Sequence, residues 1–380
     1  MIGAIALLAA SPALAQTEVS GERDGYSWTA RSSIVAAVPT STGLTGGGGS
    51  PLFYPSSDKS GVVALIMQYA NGSAFICSGS LLADRQSILT AGHCVSSGAG
   101  TGNPMKTTAY FYNGNPDVRT PFQTVGTAID VTDYFVNSKY TGQVVDQNDI
   151  AVLRLASAAP NSAQAYSLFT GGNLTGDVFN VAGYGQRSTV GGALGGNAQT
   201  GYLREGYNSY DYALGDPRFG GFFTNIDPAK GTNFFGTADI ALSFVSDFDN
   251  GLQANDAAGL IGRALTGSSV FFNAGLGALE VDIAGGDSGG PEFVNGQIAS
   301  VSSYSLSFGK SYGDIDATLD SSFGEFAGFV PTYIHADWIN SLLVSPAPEP
   351  GTWMMMIVGF GLAGGVLRRR PVAGMRMARA

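Results

Sequence analysis

Short apolar runs rich in β-branched residues, each ended by turn residues, occupy the chain from residue 61 onwards. They cover residues 61–69, 73–83, 87–95, 149–155 and 177–185. Short strands at such close spacing are typical of β-barrels and β-sandwiches, and they argue against a parallel sheet with crossover helices. Glycine accounts for 55 of the 380 residues and charged residues for only 13%, which fits a loop-rich β protein. We therefore predict an all-β fold for this part of the chain.

Three segments of the chain lack this strand pattern. Residues 16–60 show no periodicity and contain four consecutive glycines, so we predict a flexible leader there. Residues 186–260 are rich in Gly, Asn, Asp and Tyr, and we predict long surface loops. Residues 331–343 place apolar side chains at helical spacing, which predicts a helix near the end of the domain.

The N-terminal segment, residues 1–15, is an apolar run that ends in Ala13-Leu14-Ala15. Such a run followed by small residues is typical of a secretory signal peptide, and a buried first strand is the alternative. The chain has two cysteines, Cys77 and Cys94. In an exported protein an even pair predicts a disulfide, and two buried thiols are the alternative.

The C-terminal segment, residues 344–380, has a different character. Pro348-Glu349-Pro350 precedes an apolar stretch, residues 353–367, and three arginines follow it. This arrangement resembles the PEP-CTERM sorting tail, which an exosortase-type enzyme recognises and removes. It implies a hydrophobic tail helix separate from the domain, with the arginines on the cytoplasmic side. A permanent anchor is the alternative, so we expect transient or permanent membrane association, with the bulk of the protein secreted or in the bacterial cell envelope.

The stretch GGDSGGP, residues 285–291, surrounds Ser288 with four glycines. Serine is a weak nucleophile that needs a base within hydrogen-bond reach, and His93, at the end of a predicted strand, is a suitable base. Such a base needs a carboxylate to fix its tautomer. Asp149, which opens an apolar strand, is the candidate, with an ordinary turn residue as the alternative. The N–H groups of Gly286 and Ser288 can surround a developing oxyanion.

The motifs TAGHC, NDIAVL and GGDSGGP, in this order, resemble the trypsin/chymotrypsin family of serine endopeptidases across residues 61–343. The resemblance implies two six-stranded antiparallel β-barrels, residues 61–160 and 161–330, followed by the C-terminal helix. It assigns His93, Asp149 and Ser288 to the catalytic triad, Gly286 and Ser288 to the oxyanion hole, and Cys77 and Cys94 to a disulfide beside the histidine. It also makes His335 a helix residue and not a catalyst.

The same resemblance implies a substrate-specificity pocket. Asp282 matches the base of that pocket, where an acid selects Arg or Lys because a buried carboxylate favours a cationic partner. The pocket walls correspond to Ser303, Tyr304 and Ser305 on one side and Gly328 on the other. A small residue at position 328 is expected to keep the pocket open.

Asp287 matches an aspartate that pairs, in this family, with a new N-terminus after zymogen cleavage. Ile34-Val35 is the only such pair ahead of Cys77, and two serines separate it from Arg31, a possible cleavage site. The pair lies farther upstream than the family spacing suggests. An internal donor for Asp287 is therefore the alternative.

Together these features predict a secreted serine endopeptidase that acts on protein or peptide substrates through an acyl-enzyme. A catalytically weak or inactive binding or surface-display module with the same fold is the alternative. The net charge of −10 argues against nucleic acid as a partner. We expect no cofactor and no metal, because few soft ligands remain once one histidine is assigned to the triad and the cysteines are paired. Residues 247–251 resemble a calcium loop but break the EF-hand spacing.

Overall fold

A computed structural model of the chain describes residues 18–32, 35–36, 51–98, 104–112, 126–316 and 318–344, together with six residues between 354 and 362. The chain divides into two compact units, residues 1–343 and 344–380. The described residues contain sixteen strands: β1 (Glu18–Arg23), β2 (Tyr26–Ser32), β3 (Val35–Ala36), β4 (Val62–Gln68), β5 (Ala74–Leu81), β6 (Ser87–Thr90), β7 (Lys106–Tyr112), β8 (Gly126–Val136), β9 (Ala151–Leu155), β10 (Val178–Gly183), β11 (Arg204–Ser209), β12 (Tyr212–Ala213), β13 (Phe244–Asp247), β14 (Pro291–Val294), β15 (Gln297–Ser307) and β16 (Phe326–Pro331). This mostly β architecture confirms the predicted fold class.

The first sheet has seven strands, six of which close into a barrel. The strand order is β3-β5-β4-β7-β8-β9-β6, and the barrel closes because β5 also pairs with β6. β4, with the sequence VVALIMQ, is almost entirely buried, as expected for β-branched and aliphatic side chains on a covered strand. Gly72 has a φ of 84° in the tight turn between β4 and β5, a conformation that favours glycine. The predicted first barrel is therefore confirmed.

The second sheet has nine strands and forms a half-barrel. Its main order is β11-β10-β14-β15-β16-β13-β12, so β11 and β12 lie at opposite ends of the path. Among the described strands, these two do not pair with each other. Only Tyr210 and Asp211 separate them along the chain, so one bent stretch supplies both ends. The second barrel of the prediction is therefore present as a half-barrel, whose two ends come from this one bent stretch.

The N-terminal hairpin of β1 and β2 belongs to this second sheet, because β2 pairs with β15. Asp24 and Gly25 form its turn with φ values of 54° and 82°, as a two-residue hairpin turn requires. Trp28 and Ala30 of β2 are buried. The prediction of a flexible leader was therefore wrong for residues 18–32, because pairing with a distant strand and burial of Trp28 order this segment.

The segment 186–260 contributes to the core as well as to the surface. It contains β11, β12, β13 and the beginning of α1 (Ala257–Thr266). Its buried aromatic side chains join Trp28 in one hydrophobic cluster; they are Tyr212, Phe219, Phe223 and Phe234. The prediction of long surface loops was wrong for these residues. Tyr212 lies in the short strand β12 and the other rings in separate turns and loops, so their burial leaves no periodic pattern in the sequence.

The helix α2 (Ala336–Leu342) follows one 3₁₀ turn, Thr332–Ile334, and confirms the predicted C-terminal helix. His335 lies directly before it and is buried. Its Nε2 donates to the carbonyl of Gln147 at 2.9 Å, and its Nδ1 accepts from the amide of Asn137 at 3.2 Å. Burial lowers the pKa of His335. Both ring nitrogens therefore join the start of the helix to the loop that precedes β9.

Beyond residue 344, the structure describes Met354, Met355, Ile357, Val358, Phe360 and Leu362, which are helical and exposed. Within the described parts of the chain, no helix is both long enough and apolar enough to cross a bilayer. The rest of the predicted tail helix and the predicted signal peptide, residues 1–15, lie outside the described residues.

Glu292 of β14 makes the stability of the fold depend on pH. The side chain is fully buried, and its carboxyl accepts hydrogen bonds from the hydroxyls of Ser300, at 2.6 Å, and Ser302. Burial raises the pKa of Glu292 to about 8. Between about pH 5 and pH 8 the folded chain therefore holds a proton that the unfolded chain has lost, so the free energy of unfolding falls as pH rises.

We expect the substitution Glu292→Gln to flatten this pH dependence by a few kcal/mol, because one pKa unit corresponds to about 1.4 kcal/mol. Urea unfolding of both proteins at about pH 5 and about pH 8 measures the difference. Glu22→Gln is the control, because Glu22 is exposed on β1 and should leave the dependence unchanged. An identical pH dependence in wild type and E292Q would contradict the assignment.

Candidate active site

His93 and Asp149 are brought together by two neighbouring strands of the closed barrel. β6 and β9 pair antiparallel, with Thr90 opposite Ala151. His93 follows the end of β6 in a 3₁₀ turn, Gly92–Cys94, and Asp149 precedes the start of β9. The end of one antiparallel strand lies beside the start of its partner, so both side chains emerge at the same edge of the barrel.

The Asp149 carboxylate accepts three hydrogen bonds. Its Oδ1 accepts from the backbone N–H of His93 at 2.7 Å. Its Oδ2 lies 2.6 Å from Nδ1 of His93 and accepts from the hydroxyl of Ser303 at 2.6 Å. Asp149 is 1% exposed, so these contacts are shielded from water. Because a carboxylate only accepts, Nδ1 carries the proton and Nε2 of the neutral ring has a free lone pair.

Nε2 of His93 is buried and makes no hydrogen bond with any described residue. A buried polar atom without a partner costs free energy, so such atoms often mark functional sites. The lone pair on this nitrogen is the feature that a general base requires.

Ser288 lies in a loop that packs against the segment carrying His93. Its carbonyl accepts from the N–H of Ser78 at 2.8 Å and is 3.6 Å from Sγ of Cys94. That second contact is van der Waals, since Sγ of Cys94 is oxidised and has no proton to donate. A Cβ on the next residue, Gly289, would lie 2.0 Å from Oγ1 of Thr90. Only glycine therefore allows the loop that carries Ser288 to approach β6 this closely.

The disulfide between Cys77 and Cys94 is confirmed, with a Cα–Cα distance of 6.2 Å. It joins β5 to the residue that follows His93. Closing a loop across a sequence separation of 17 stabilises the fold by about 3 kcal/mol in the chain-entropy model. The bridge therefore holds the His93 turn against the strand that also contacts Ser288.

Hydrogen bonds fix the backbone directly before Ser288. Gly286 has a φ of 106°, which favours glycine, and its carbonyl accepts from the hydroxyl of Ser78 at 2.9 Å. The buried Asp287 accepts from the N–H of Gly185 at 2.7 Å and from the N–H of Ala284 at 3.0 Å. Burial raises the pKa of Asp287 to about 6. Internal amides thus serve as donors to Asp287.

Asp282 lines a cavity of about 150 Å³ that is separate from the other predicted pocket residues. Glu280, Asp287 and Arg187 also line it, whereas Ser303, Tyr304, Ser305 and Gly328 do not. Oδ1 of Asp282 accepts from the N–H of Ile283, and Oδ2 is buried without a partner among the described residues. Burial, with acidic neighbours, raises the pKa of Asp282 well above its usual range.

Tyr304 and Gly328 pack against each other. They lie opposite one another in the pairing of β15 with β16. Tyr304 is fully buried, and its hydroxyl is 2.9 Å from the hydroxyl of Ser243. A Cβ at position 328 would lie 2.1 Å from Cζ of Tyr304. Position 328 therefore requires glycine because the Tyr304 ring fills the space that a side chain would need. The sequence suggested instead that this glycine keeps a pocket open.

The substitution Gly328→Ala is expected to lower the free energy of unfolding by about 1–3 kcal/mol, the usual cost of overpacking a dense core. Urea unfolding measures this loss. Gly172→Ala is the matched control, because a Cβ there has no atom within 4 Å and its φ is not left-handed. Equal stability of G328A and G172A would contradict the packing of Tyr304 on Gly328.

Two site residues have roles that sequence reasoning did not assign. Ser303 was expected in a pocket wall, yet its hydroxyl binds Asp149. Ser78 was not predicted at all, although its N–H and hydroxyl bind the carbonyls of Ser288 and Gly286. Serine is common in strands and loops, so neither position carried a local signal.

Comparison with known families agrees with this geometry. The family model Trypsin matches residues 55–213, a range that includes His93 and Asp149 and ends before Ser288. The model of the PEP-CTERM protein-sorting motif matches residues 346–370 and implies an extracytoplasmic, cell-envelope protein. Among curated proteins, no sequence matches this one. The chain is therefore similar to the trypsin family over residues 55–213 and carries a C-terminal match to the PEP-CTERM protein-sorting motif.

Proposed function

We propose that the domain is a serine endopeptidase in which Ser288 is the nucleophile, His93 the general base and Asp149 the residue that orients the base. The observation that carries the proposal is the buried contact of 2.6 Å between Asp149 Oδ2 and His93 Nδ1. It assigns the proton to Nδ1 and leaves Nε2 able to accept one. The hydroxyl of Ser303 on the same Oδ2 supports this orientation.

The reaction follows from these protonation states. The Oγ of Ser288 attacks the carbonyl carbon of a peptide bond while Nε2 of His93 takes the hydroxyl proton. The resulting imidazolium is stabilised by the Asp149 carboxylate, which stays ionised. Nε2 then gives the proton to the leaving amine, and an ester with Ser288 remains. Water attacks the ester by the same route, with His93 again as the base, and releases the acid product.

The N–H groups of Gly286 and Ser288 are the proposed donors to the oxyanion of the tetrahedral intermediate. Their support is the fixed backbone of this loop, in which Ser78 and Asp287 hold neighbouring peptide groups. Donors that are already oriented need no reorganisation when charge develops, which is why such sites contribute strongly to catalysis.

We propose Arg or Lys as the residue before the cleaved bond, because Asp282 has a buried carboxyl oxygen without a partner among the described residues. A cationic side chain would supply that partner and favour ionisation of Asp282. The protein would act outside the cytoplasm on proteins or peptides, and its tail would be processed by an exosortase-type enzyme after transient membrane association.

Hydrolysis of tripeptide amides that end in Arg, Phe or Ala tests both proposals with the purified full chain. We expect turnover of at least one substrate, with the highest kcat/KM for the Arg substrate. A preference for Phe would contradict the role of Asp282 while leaving the peptidase intact. A folded protein that hydrolyses no peptide or protein, either as wild type or with the N-terminal hairpin weakened by Trp28→Ala, would instead favour the inactive binding module.

A further inference from the structure

The hairpin strand β2 and the short strand β3 pair with the edges of β15 and β5, respectively. These two edges lie on either side of residues 285–290, the loop that carries the proposed nucleophile Ser288 and is called the nucleophile loop below. β2 pairs antiparallel with β15, with Ser32 opposite Tyr304 and Thr29 opposite Ser307. β3 pairs antiparallel with β5, with Val35 opposite Ile76. β15 belongs to the half-barrel and β5 to the closed barrel, so β2 pairs with one sheet and β3 with the other.

On the β5 side, β3 ends next to Ser288. Backbone groups of alternate strand residues point to the same edge, so Ile76, Ser78 and Ser80 share one edge of β5. Along this edge Ile76 pairs with β3, Ser78 donates to the carbonyl of Ser288 at 2.8 Å, and Ser80 pairs with β6. Two strand residues span about 7 Å, so the contact to Ser288 lies about that far along β5 from the residue that faces β3.

The β15 side has the same arrangement. Ser302 accepts from the N–H of Gly289 at 2.8 Å and donates to the carbonyl of Gly290 at 2.9 Å. Ser303 follows, with its hydroxyl on Asp149. The pairing with β2 begins at Tyr304. The Ser32 end of β2 is therefore two residues from the backbone contact that holds the nucleophile loop.

The two edges flank the backbone of Ser288, so an extended peptide bound there can pair with them. Adding a strand to an exposed sheet edge is a common way to bind a peptide, because backbone hydrogen bonds provide affinity. In this structure both edges are already paired with the chain's own N-terminal segment, and Ser288 is fully buried. A substrate strand cannot occupy these edges at the same time as β2 and β3.

We propose that the hairpin β1–β2 and the strand β3 are autoinhibitory and lie in the peptide-binding cleft in the manner of a substrate strand. The inhibitory part of this inference rests on the proposed function of Ser288, whereas occupancy of the cleft does not. Displacement or removal of the hairpin opens the site to peptides. This mechanism differs from pairing of a new N-terminus with Asp287, whose oxygens already accept from Gly185 and Ala284.

The hairpin is held mainly by Trp28. This side chain is 7% exposed and contacts the ring of Phe235 edge-on at 4.9 Å between centroids. Gly21 of β1 lies directly beneath the indole, since a Cβ there would be 2.8 Å from Trp28. By contrast, the Arg31–Glu18 ion pair, at 2.5 Å, is partly exposed and contributes little. Truncating Trp28 should therefore weaken the segment without touching any residue of the proposed triad.

The first test measures access to Ser288 as the rate of labelling by a fluorophosphonate in the full chain. We expect Trp28→Ala to be labelled about tenfold faster than wild type, because the open state becomes more populated. Ser20→Ala, an exposed change on β1 of the same hairpin, is the matched control and should keep the wild-type rate. Ser288→Ala should not be labelled.

A second variant covers the case in which W28A does not fold. The double substitution Thr29→Cys with Ser307→Cys places two cysteines directly opposite each other, where a disulfide can form. Oxidation should lock the segment and slow labelling of Ser288 about tenfold relative to the reduced form of the same variant. Wild type under the same oxidising and reducing conditions is the control for the natural disulfide.

A binding experiment separates failure of this inference from failure of the proposed function. A fluorescent peptide with the sequence of residues 26–36 should bind Ser288→Ala/Trp28→Ala about tenfold more tightly than Ser288→Ala, because the cleft is free in the former. Suppose that the peptide binds the double variant more tightly, but that neither wild type nor Trp28→Ala is labelled at Ser288. That result would reject the peptidase and support the inference that the N-terminal strands occupy the cleft. Equal binding to both proteins, or labelling of folded W28A at the wild-type rate, would overturn the inference.

Discussion

Replacing Ser288 with alanine is expected to lower kcat for peptide hydrolysis by at least about 10⁴-fold, because the attacking oxygen is removed. The substitution deletes one oxygen from a fully buried side chain and leaves the backbone contacts of Ser288 with Ser78 intact. We therefore expect S288A to fold. Steady-state hydrolysis of the preferred tripeptide amide, with circular dichroism to verify folding, measures the effect.

Ser302→Ala is a suitable control for S288A. It removes a buried hydroxyl that binds Glu292, on the strand beside the nucleophile loop, and it keeps the backbone contacts of that strand with Gly289 and Gly290. We expect a loss of stability of about 1 kcal/mol and a kcat within about tenfold of wild type. Equal activity of S288A and wild type would show that Ser288 is not the nucleophile.

Replacing Asp149 with asparagine is expected to lower kcat by about 10⁴-fold, the loss seen when the orienting acid of a serine-protease triad becomes an amide. The amide NH₂ would donate to Nδ1 of His93, which lies 2.6 Å from Oδ2 in the wild-type chain. The ring proton would then be on Nε2, so that nitrogen could not accept a proton from Ser288. KM should change much less than kcat, because the substitution alters the base and not the cleft.

Asp146→Asn is the matched control for D149N. Asp146 is also fully buried, and it accepts from Thr141 at 2.7 Å and from the N–H of Asn148 at 2.8 Å, yet none of its hydrogen bonds involves His93. We expect D146N to lose stability but to keep kcat within about tenfold of wild type. Comparable losses of kcat in D146N and D149N would mean that Asp149 acts only through the fold of this loop.

The first barrel and part of the candidate site could be predicted from the sequence because their signals are local. The apolar runs at residues 62–68 and 74–81 correspond to strands, and the turn between them contains Asn71-Gly72. His93 and Asp149 lie in short motifs at the ends of such runs, and the structure places them within hydrogen-bond distance. The placement of Ser288 as nucleophile stays a prediction that the experiments above test.

The half-barrel and the N-terminal hairpin could not be predicted in the same way because they depend on distant partners. β2 is ordered by pairing with β15, which lies near the other end of the domain. One local signal of a hairpin existed. Asp24-Gly25 stands between two segments whose residues alternate in burial, and Trp28 and Ala30 are on the buried side of the second. The low overall regularity of residues 16–60 obscured it.

The specificity residues show a further limit of sequence reasoning. Alignment of motifs assigned Ser303, Tyr304 and Gly328 to a pocket wall. In the structure the hydroxyl of Ser303 donates to Asp149, and the ring of Tyr304 is buried in the core. Gly328 leaves the space that this ring occupies. A motif fixes the position of a residue in a strand, but the direction and partner of its side chain depend on packing from other elements.

The central claim is that His93 removes the proton from the hydroxyl of Ser288, and location of a covalent adduct tests it most directly. The full chain would be treated with a fluorophosphonate, digested, and mapped by mass spectrometry. We predict one adduct, on Ser288, that disappears in His93→Ala. An adduct on another residue, or equal labelling of Ser288 in wild type and folded H93A, would contradict the account.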